Sequence, residues 1–289
     1  MRRVPSFARG ARRATLVVKV LVLLAPSFDG SDQGYKSLAQ ATGLVPYDLR
    51  TRVKPGSWGL IRGFGDAGQA QELASRLIAL GFPVVLIDRQ VAHDKERRSV
   101  PVQGITLGDA DFTLLLKDRE MKIPYGALTC IVEGEVHPGR AATGARQTPS
   151  GTSSGALRAV VPTLAEVQSF REAHTASQVG YLAADLHFAT VRWIARIDCR
   201  IFDFGPERTG NLAADLASLT QVLATKCGVR VDRSVRTSSL ASFADQPAPM
   251  RAQSWPPPSI RAKSEAGDNR FDTYSRLVGE AERVARRNA

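Results

Sequence analysis

Tyr181-Leu-Ala-Ala-Asp-Leu-His-Phe188, followed two residues later by Val191-Arg-Trp-Ile-Ala-Arg-Ile-Asp-Cys-Arg-Ile201, is the stretch that decides the fold. In the first segment the apolar side chains fall on even positions: Leu182, Ala184, Leu186 and Phe188. In the second they fall on odd positions: Val191, Trp193, Ala195, Ile197, Cys199 and Ile201. A turn at Ala189-Thr190 sets 188 against 191, 186 against 193 and 182 against 197, so apolar meets apolar on one face of an antiparallel hairpin. A second segment repeats the pattern. Phe112, Leu114 and Leu116 face Met121, Ile123 and Tyr125 across a turn at Asp118-Arg119, with Lys117 opposite Glu120 on the outer face. Neither turn carries a favoured hairpin dipeptide, so parity is the firmer part of the expectation.

Outward from these hairpins, residues 16–88 read as β-α-(α)-β-α-β. A β-branched strand at 16–25 leads, and a short helix at 33–42 ends at Gly43. A turn of helix follows at Pro46–Arg52, then a strand at Trp58–Phe64. Asp66 is a natural N-cap for a helix whose Ala70, Leu73, Ala74, Leu77 and Leu80 form one stripe before Gly81. Phe82–Ile87 is the closing strand. Further strands are expected near 100–108, 111–117, 120–125 and 128–136, and helices at 163–173 and 210–226, the latter with Leu212, Leu216, Leu219 and Leu223 on one face.

These elements define a basic flexible leader (1–14), a small βααβαβ module (15–90) and a strand-rich domain (100–228) with a low-complexity insert at 137–160. A tail at 245–289, Pro- and Ser-rich and mostly disordered, carries a weak last helix around Phe271–Arg287. The fold class is α+β: the small module is followed by an antiparallel, bent sheet closed by a C-terminal helix. The element order over 100–228 resembles the pleckstrin-homology-like superfold. The Leu73-Ala-x-x-Leu-x-x-x-Gly-Phe-x-Val84 helix-to-strand join resembles the small α/β modules of the N-end-rule protease adaptor and the ribosomal stalk C-terminal domain. Neither resemblance carries a function.

Composition bounds the partners. The 289 residues carry a formal charge of +11 and a pI near 10.1. Residues 1–30 and 139–160 together hold +8 of that charge, so the folded parts are near neutral. Arginine-rich basicity of this kind fits a bacterial compositional bias better than a dedicated nucleic-acid surface. Three scattered cysteines, Cys130, Cys199 and Cys227, exclude a disulfide framework and point to the reducing cytoplasm, with Cys130 and Cys199 as small buried apolar residues. Lys19 interrupts the apolar run after the leader, and no stretch reaches the length of a membrane span.

Chemistry-bearing patterns are sparse. The chain has no Ser-x-x-Lys motif and no Walker A loop. Gly63-Phe-Gly65 reads as a tight turn before a capped helix. Asp185 and His187 share a strand face that reads as solvated, with Arg192 across the hairpin disfavouring a metal ion; Glu133 and Glu135 read as outward acids at a sheet edge. Trp255-Pro-Pro-Pro reads as a spacer. The most suggestive set is a ladder of Arg192, Arg196 and Arg200 on the outward face, about 13 Å between neighbours, with His187 and Tyr181 beside it. These five residues are the expected partner-binding set; no catalytic, cofactor or metal residues are expected, and no cofactor. The sequence therefore points to a non-enzymatic adaptor or regulatory binding protein whose partner is another protein. The second reading is a nucleic-acid-associated protein using its basic N-terminus and the ladder. The third is an enzyme whose site converges only in three dimensions.

Overall fold

A computed structural model of the chain describes residues 19–94, 96–137, 180–206, 208–240 and 270–288. The leader, the insert beyond His137, the helix expected at 163–173 and the tail at 245–269 lie outside the described residues. The chain is mixed α/β.

The small module is β1 (Val20–Leu24), α1 (Asp32–Thr42), α2 (Pro46–Arg52), β2 (Gly59–Phe64), α3 (Ala67–Ala79) and β3 (Val84–Asp88). The strands form an antiparallel sheet in the order β2-β1-β3. Its boundaries follow local chemistry. Gly43 takes a left-handed φ of 67° to end α1, and Asp66 Oδ1 accepts the Gln69 N–H at 3.0 Å to start α3. Asp66→Ala is expected to lower stability by about 1 kcal/mol, read as a shifted urea midpoint with unchanged slope. The helices cover one face of this sheet, where Val22, Leu24, Leu38, Leu49, Ile61, Leu73 and Leu77 form a closed core.

The strand-rich part divides into two sheets. β4 (Ser99–Val102), β8 (Leu128–Val136), β9 (Tyr181–Phe188), β10 (Ile194–Asp198) and β11 (Val231–Asp232) make one, in the order β11-β8-β9-β10-β4. β5 (Gly104–Leu107), β6 (Asp111–Leu115) and β7 (Glu120–Pro124) make a separate antiparallel meander. The expected all-antiparallel sheet is in fact mixed. β4 enters from the small module and runs parallel to β10, and β11 returns parallel to β8 after the crossover helix α4 (Leu212–Cys227).

Both hairpins keep the expected parity and move by two residues. Ala195 faces Leu186 and Ile197 faces Ala184, with a five-residue connection in place of the Ala189-Thr190 turn. Phe112 faces Ile123 and Leu114 faces Met121, so Lys117 falls in the turn, and Lys122 pairs with Asp111 instead at 3.2 Å. A shift of two leaves every side chain on its face. Leu186, Ala195, Ile197 and Cys199 join Leu216 and Leu223 of α4 in a second core, with Trp193 packed against it.

The last helix, α5 (Arg270–Asn288), departs most from the sequence reading. Its limits match the weak helix expected within a mostly disordered tail, but Phe271, Tyr274, Leu277, Val278 and Ala281 are fully buried. It lies between the back of the small sheet (Leu21, Leu23, Val85, Ile87, with Trp58) and the back of the five-stranded sheet (Cys130, Val132, Ala183). The two parts thereby share a third core.

Candidate functional site: a buried polar cluster beneath the last helix

The sheet face expected to be solvated is the one α5 covers. On that face β9 carries Asp185 and His187, and β10 carries Arg196. Asp185 is 0% exposed, His187 5% and Arg196 9%. The Arg196 guanidinium reaches Asp185 with two parallel hydrogen bonds, Nε to Oδ1 at 2.7 Å and Nη2 to Oδ2 at 2.8 Å. Nη2 also lies 2.6 Å from Asp272 Oδ1 of α5, a second ion pair. From the same helix, fully buried Ser275 donates its hydroxyl proton to Asp185 Oδ2 at 2.6 Å, and its Oγ lies 2.8 Å from His187 Nε2.

The electrostatics fix the protonation states. Burial pushes the Asp185 carboxyl up, but the Arg196 charge and hydrogen bonds outweigh it and hold the group below its ordinary value. Burial drives His187 down to about 4; Asp185 opposes this, and Arg97 and Arg196 add to it. His187 is therefore neutral at pH 7. Because Ser275 gives its proton to an ionised carboxylate, His187 must supply the proton of the Nε2···Oγ bond, leaving Nδ1 bare. That side of the ring faces Gly279, where a Cβ would fall 2.1 Å from Nδ1. Serine, histidine and aspartate thus meet, with the proton running away from the imidazole. A catalytic base must accept the nucleophile's proton, and this one does not.

A second set of polar contacts also holds α5. Tyr274 Oη donates to Asp232 Oδ1 at 3.0 Å, Arg230 Nη2 binds Glu282 Oε1 at 2.8 Å, and Trp58 Nε1 donates to the same oxygen at 3.0 Å. Arg97 pairs with Glu280. Burial, with help from Glu282, raises the nearby Cys130 thiol well above its ordinary value, so it is an inert core residue. Burial likewise raises Cys199 and Cys227 to about 11.

The five residues expected as one outward surface are split. Arg196 and His187 are under α5. Arg192 is exposed and pairs with Glu96 at 2.7 Å. Arg200, 55% exposed, lies 3.4 Å from the centre of the Tyr181 ring and pairs with Asp198 at 2.6 Å. The partner of Asp185 is Arg196, and Arg192 is not beside it. Glu133 and Glu135 also depart from expectation. β8 is an interior strand, and the two acids pair with Arg233 and Arg236. Ser275, Asp272, Glu280 and Gly279 were not singled out in sequence. The signal that finds them is the spacing Phe271, Tyr274, Leu277-Val278, Ala281, which gives the helix an inward face and places Ser275 and Gly279 beside it.

Among the described residues, no group of three or more histidine, cysteine or acidic side chains could hold a metal ion, and no helix is long and apolar enough to cross a membrane. Comparisons with protein families, curated proteins and solved structures gave no match.

Proposed function

We propose that this chain is a non-enzymatic binding protein, an adaptor or regulator whose partner is another protein. The observation that supports this most is the closure of the Ser275–His187–Asp185 group. Its reactive atoms are sealed from solvent and its proton is directed onto the carboxylate, so these side chains hold the helix to the sheet. Tyr181 and Arg200 form the surface we assign to the partner. Arginine stacked on tyrosine is a pre-ordered contact of the kind that dominates protein interfaces. The pleckstrin-homology-like element order belongs to this proposal without adding weight to it, since such folds host unrelated functions.

The test is quantitative capture of a protein partner on the immobilised full chain at about 0.15 M salt, compared with a Tyr181→Ala/Arg200→Glu variant of unchanged melting temperature. A specific partner lost at least tenfold from the variant is the expected result. Equal retention by the variant overturns the assignment of this surface. Substrate turnover abolished by one point substitution overturns the whole reading. The net charge of +11 favours one alternative, nucleic-acid association. Binding to DNA or RNA that weakens steeply with added salt would replace the protein-partner reading by that one.

A further inference from the structure

We infer that the groove between the two sheets is a helix-recognition site, and that α5 is its tethered, separable ligand, a property independent of any contact at the Tyr181–Arg200 surface. The division of the cores carries this inference. The small module has its own core under α1, α2 and α3, and the strand-rich part has its own under α4; neither contains a residue of α5. Only the third core, formed by the backs of both sheets, includes the helix. Removing α5 therefore leaves each part with a core of its own. Among the described residues α5 pairs with no strand, and it is tied to the body by side chains, as where Arg276 donates to the Ala92 carbonyl and Arg286 to the Thr129 carbonyl.

The groove reads its occupant in two ways. The first is shape. Gly134 of β8 leaves room for the Phe271 ring, since a Cβ there would fall 2.6 Å from Cδ2, and Gly279 of the helix leaves room for His187. Glycine at both points lets two rigid elements approach closely where any side chain would hold them apart. The second is charge. Three arginines of the body, Arg196, Arg97 and Arg230, meet three acids of the helix, Asp272, Glu280 and Glu282. The occupant that fits is an amphipathic helix with aromatic anchors at its first two apolar positions, three residues apart, glycine opposite the histidine and acids toward the arginines. That is the helix-in-groove mode of peptide recognition. We commit to the sequence of α5 itself, supplied in trans, as that occupant.

Two experiments decide the matter. In the first, a site for a sequence-specific protease is placed within residues 250–262 of the full chain, whose uncut melting temperature is checked against the unmodified protein. After cutting, the two pieces are expected to elute together. A fluorescent peptide of residues 268–289 is then expected to replace the resident helix saturably, and peptides with Gly279→Leu or Glu280→Arg to compete about 100-fold less well. Separation of the pieces with loss of the body's near-ultraviolet circular dichroism, or failure of the peptide to exchange, overturns the inference. The second experiment uses the unmodified chain. In hydrogen exchange, the α5 amides are expected to open as one unit ahead of β8 and β9. Equal protection of helix and strands overturns the inference even if the modified chain fails to fold or resists cutting.

Discussion

Arg196→Met is expected to lower the unfolding free energy by about 3–5 kcal/mol, measured by urea denaturation. Asp185 is wholly buried, and Arg196 supplies two of its hydrogen bonds and all of its nearest positive charge. Methionine fills much of the same volume, so little of the loss would come from a cavity. The loss comes from a carboxylate stranded at low dielectric with Ser275 as its remaining donor, beside an Asp272 that has also lost its partner. Arg196→Lys is expected to recover a minor part, because an ammonium group cannot make the two parallel bonds of the guanidinium while also reaching Asp272. Adding Asp185→Leu to Arg196→Met removes the stranded charge and is expected to restore stability, so the two changes couple rather than add. A single-variant loss below about 1 kcal/mol would mean that water reaches the cluster and that the sheet face is open after all.

What could be read from the sequence, and what could not, divides along one physical line. Parity survives because it records which face of a strand is apolar, and Leu186 and Ile197 occupy the expected face despite the two-residue slip. Register did not survive, because it is set by turn geometry, and neither Ala189-Thr190 nor Asp118-Arg119 fixes a two-residue turn. The larger misreading concerned polar residues. Asp185, His187 and Arg196 alternate with apolar neighbours, a pattern that ordinarily marks a solvated face. A polar face can equally be buried if another element brings matching groups, and α5 brings Asp272 and Ser275. That helix is itself charged enough to read as a solvent-exposed tail, since its acids and Arg276 are satisfied by distant segments such as Arg97, Arg230 and the Ala92 carbonyl. Two polar surfaces that neutralise one another leave no signature in either segment alone. Of the five expected residues, Tyr181 and His187 lie on β9, Arg196 lies on β10 and Arg192 and Arg200 flank it, and His187 and Arg196 are buried beneath α5 rather than on an outward surface.

Stability is expected to fall by about 3 kcal/mol between pH 6.5 and pH 4 on account of His187 alone. The folded protein holds this imidazole near 4, against an ordinary value of 6.5. Above 6.5 neither the folded nor the unfolded chain binds the proton, and the contribution of the neutral ring is fully present. Below it the unfolded chain takes up a proton that the folded one refuses, and stability falls until the folded ring titrates as well. The groups facing the ring set the sign. Arg97 and Arg196 join burial in resisting a second positive charge, Asp185 alone favours it, and Ser275 and Gly279 pack directly against the ring. Asp272 works in the opposite direction at lower pH. Burial raises its carboxyl above 3.8 despite Arg196, so the folded form gains a proton first and the curve flattens. Asp185, held below 3.8, steepens it again under stronger acid. His187→Gln keeps a donor for Ser275 without a titrating ring. Chemical denaturation at half-unit intervals should show the slope between pH 6.5 and 4 in the natural protein and its loss in the variant. A slope unchanged by the substitution would place the imidazole in contact with solvent and dissolve the cluster as an electrostatic unit.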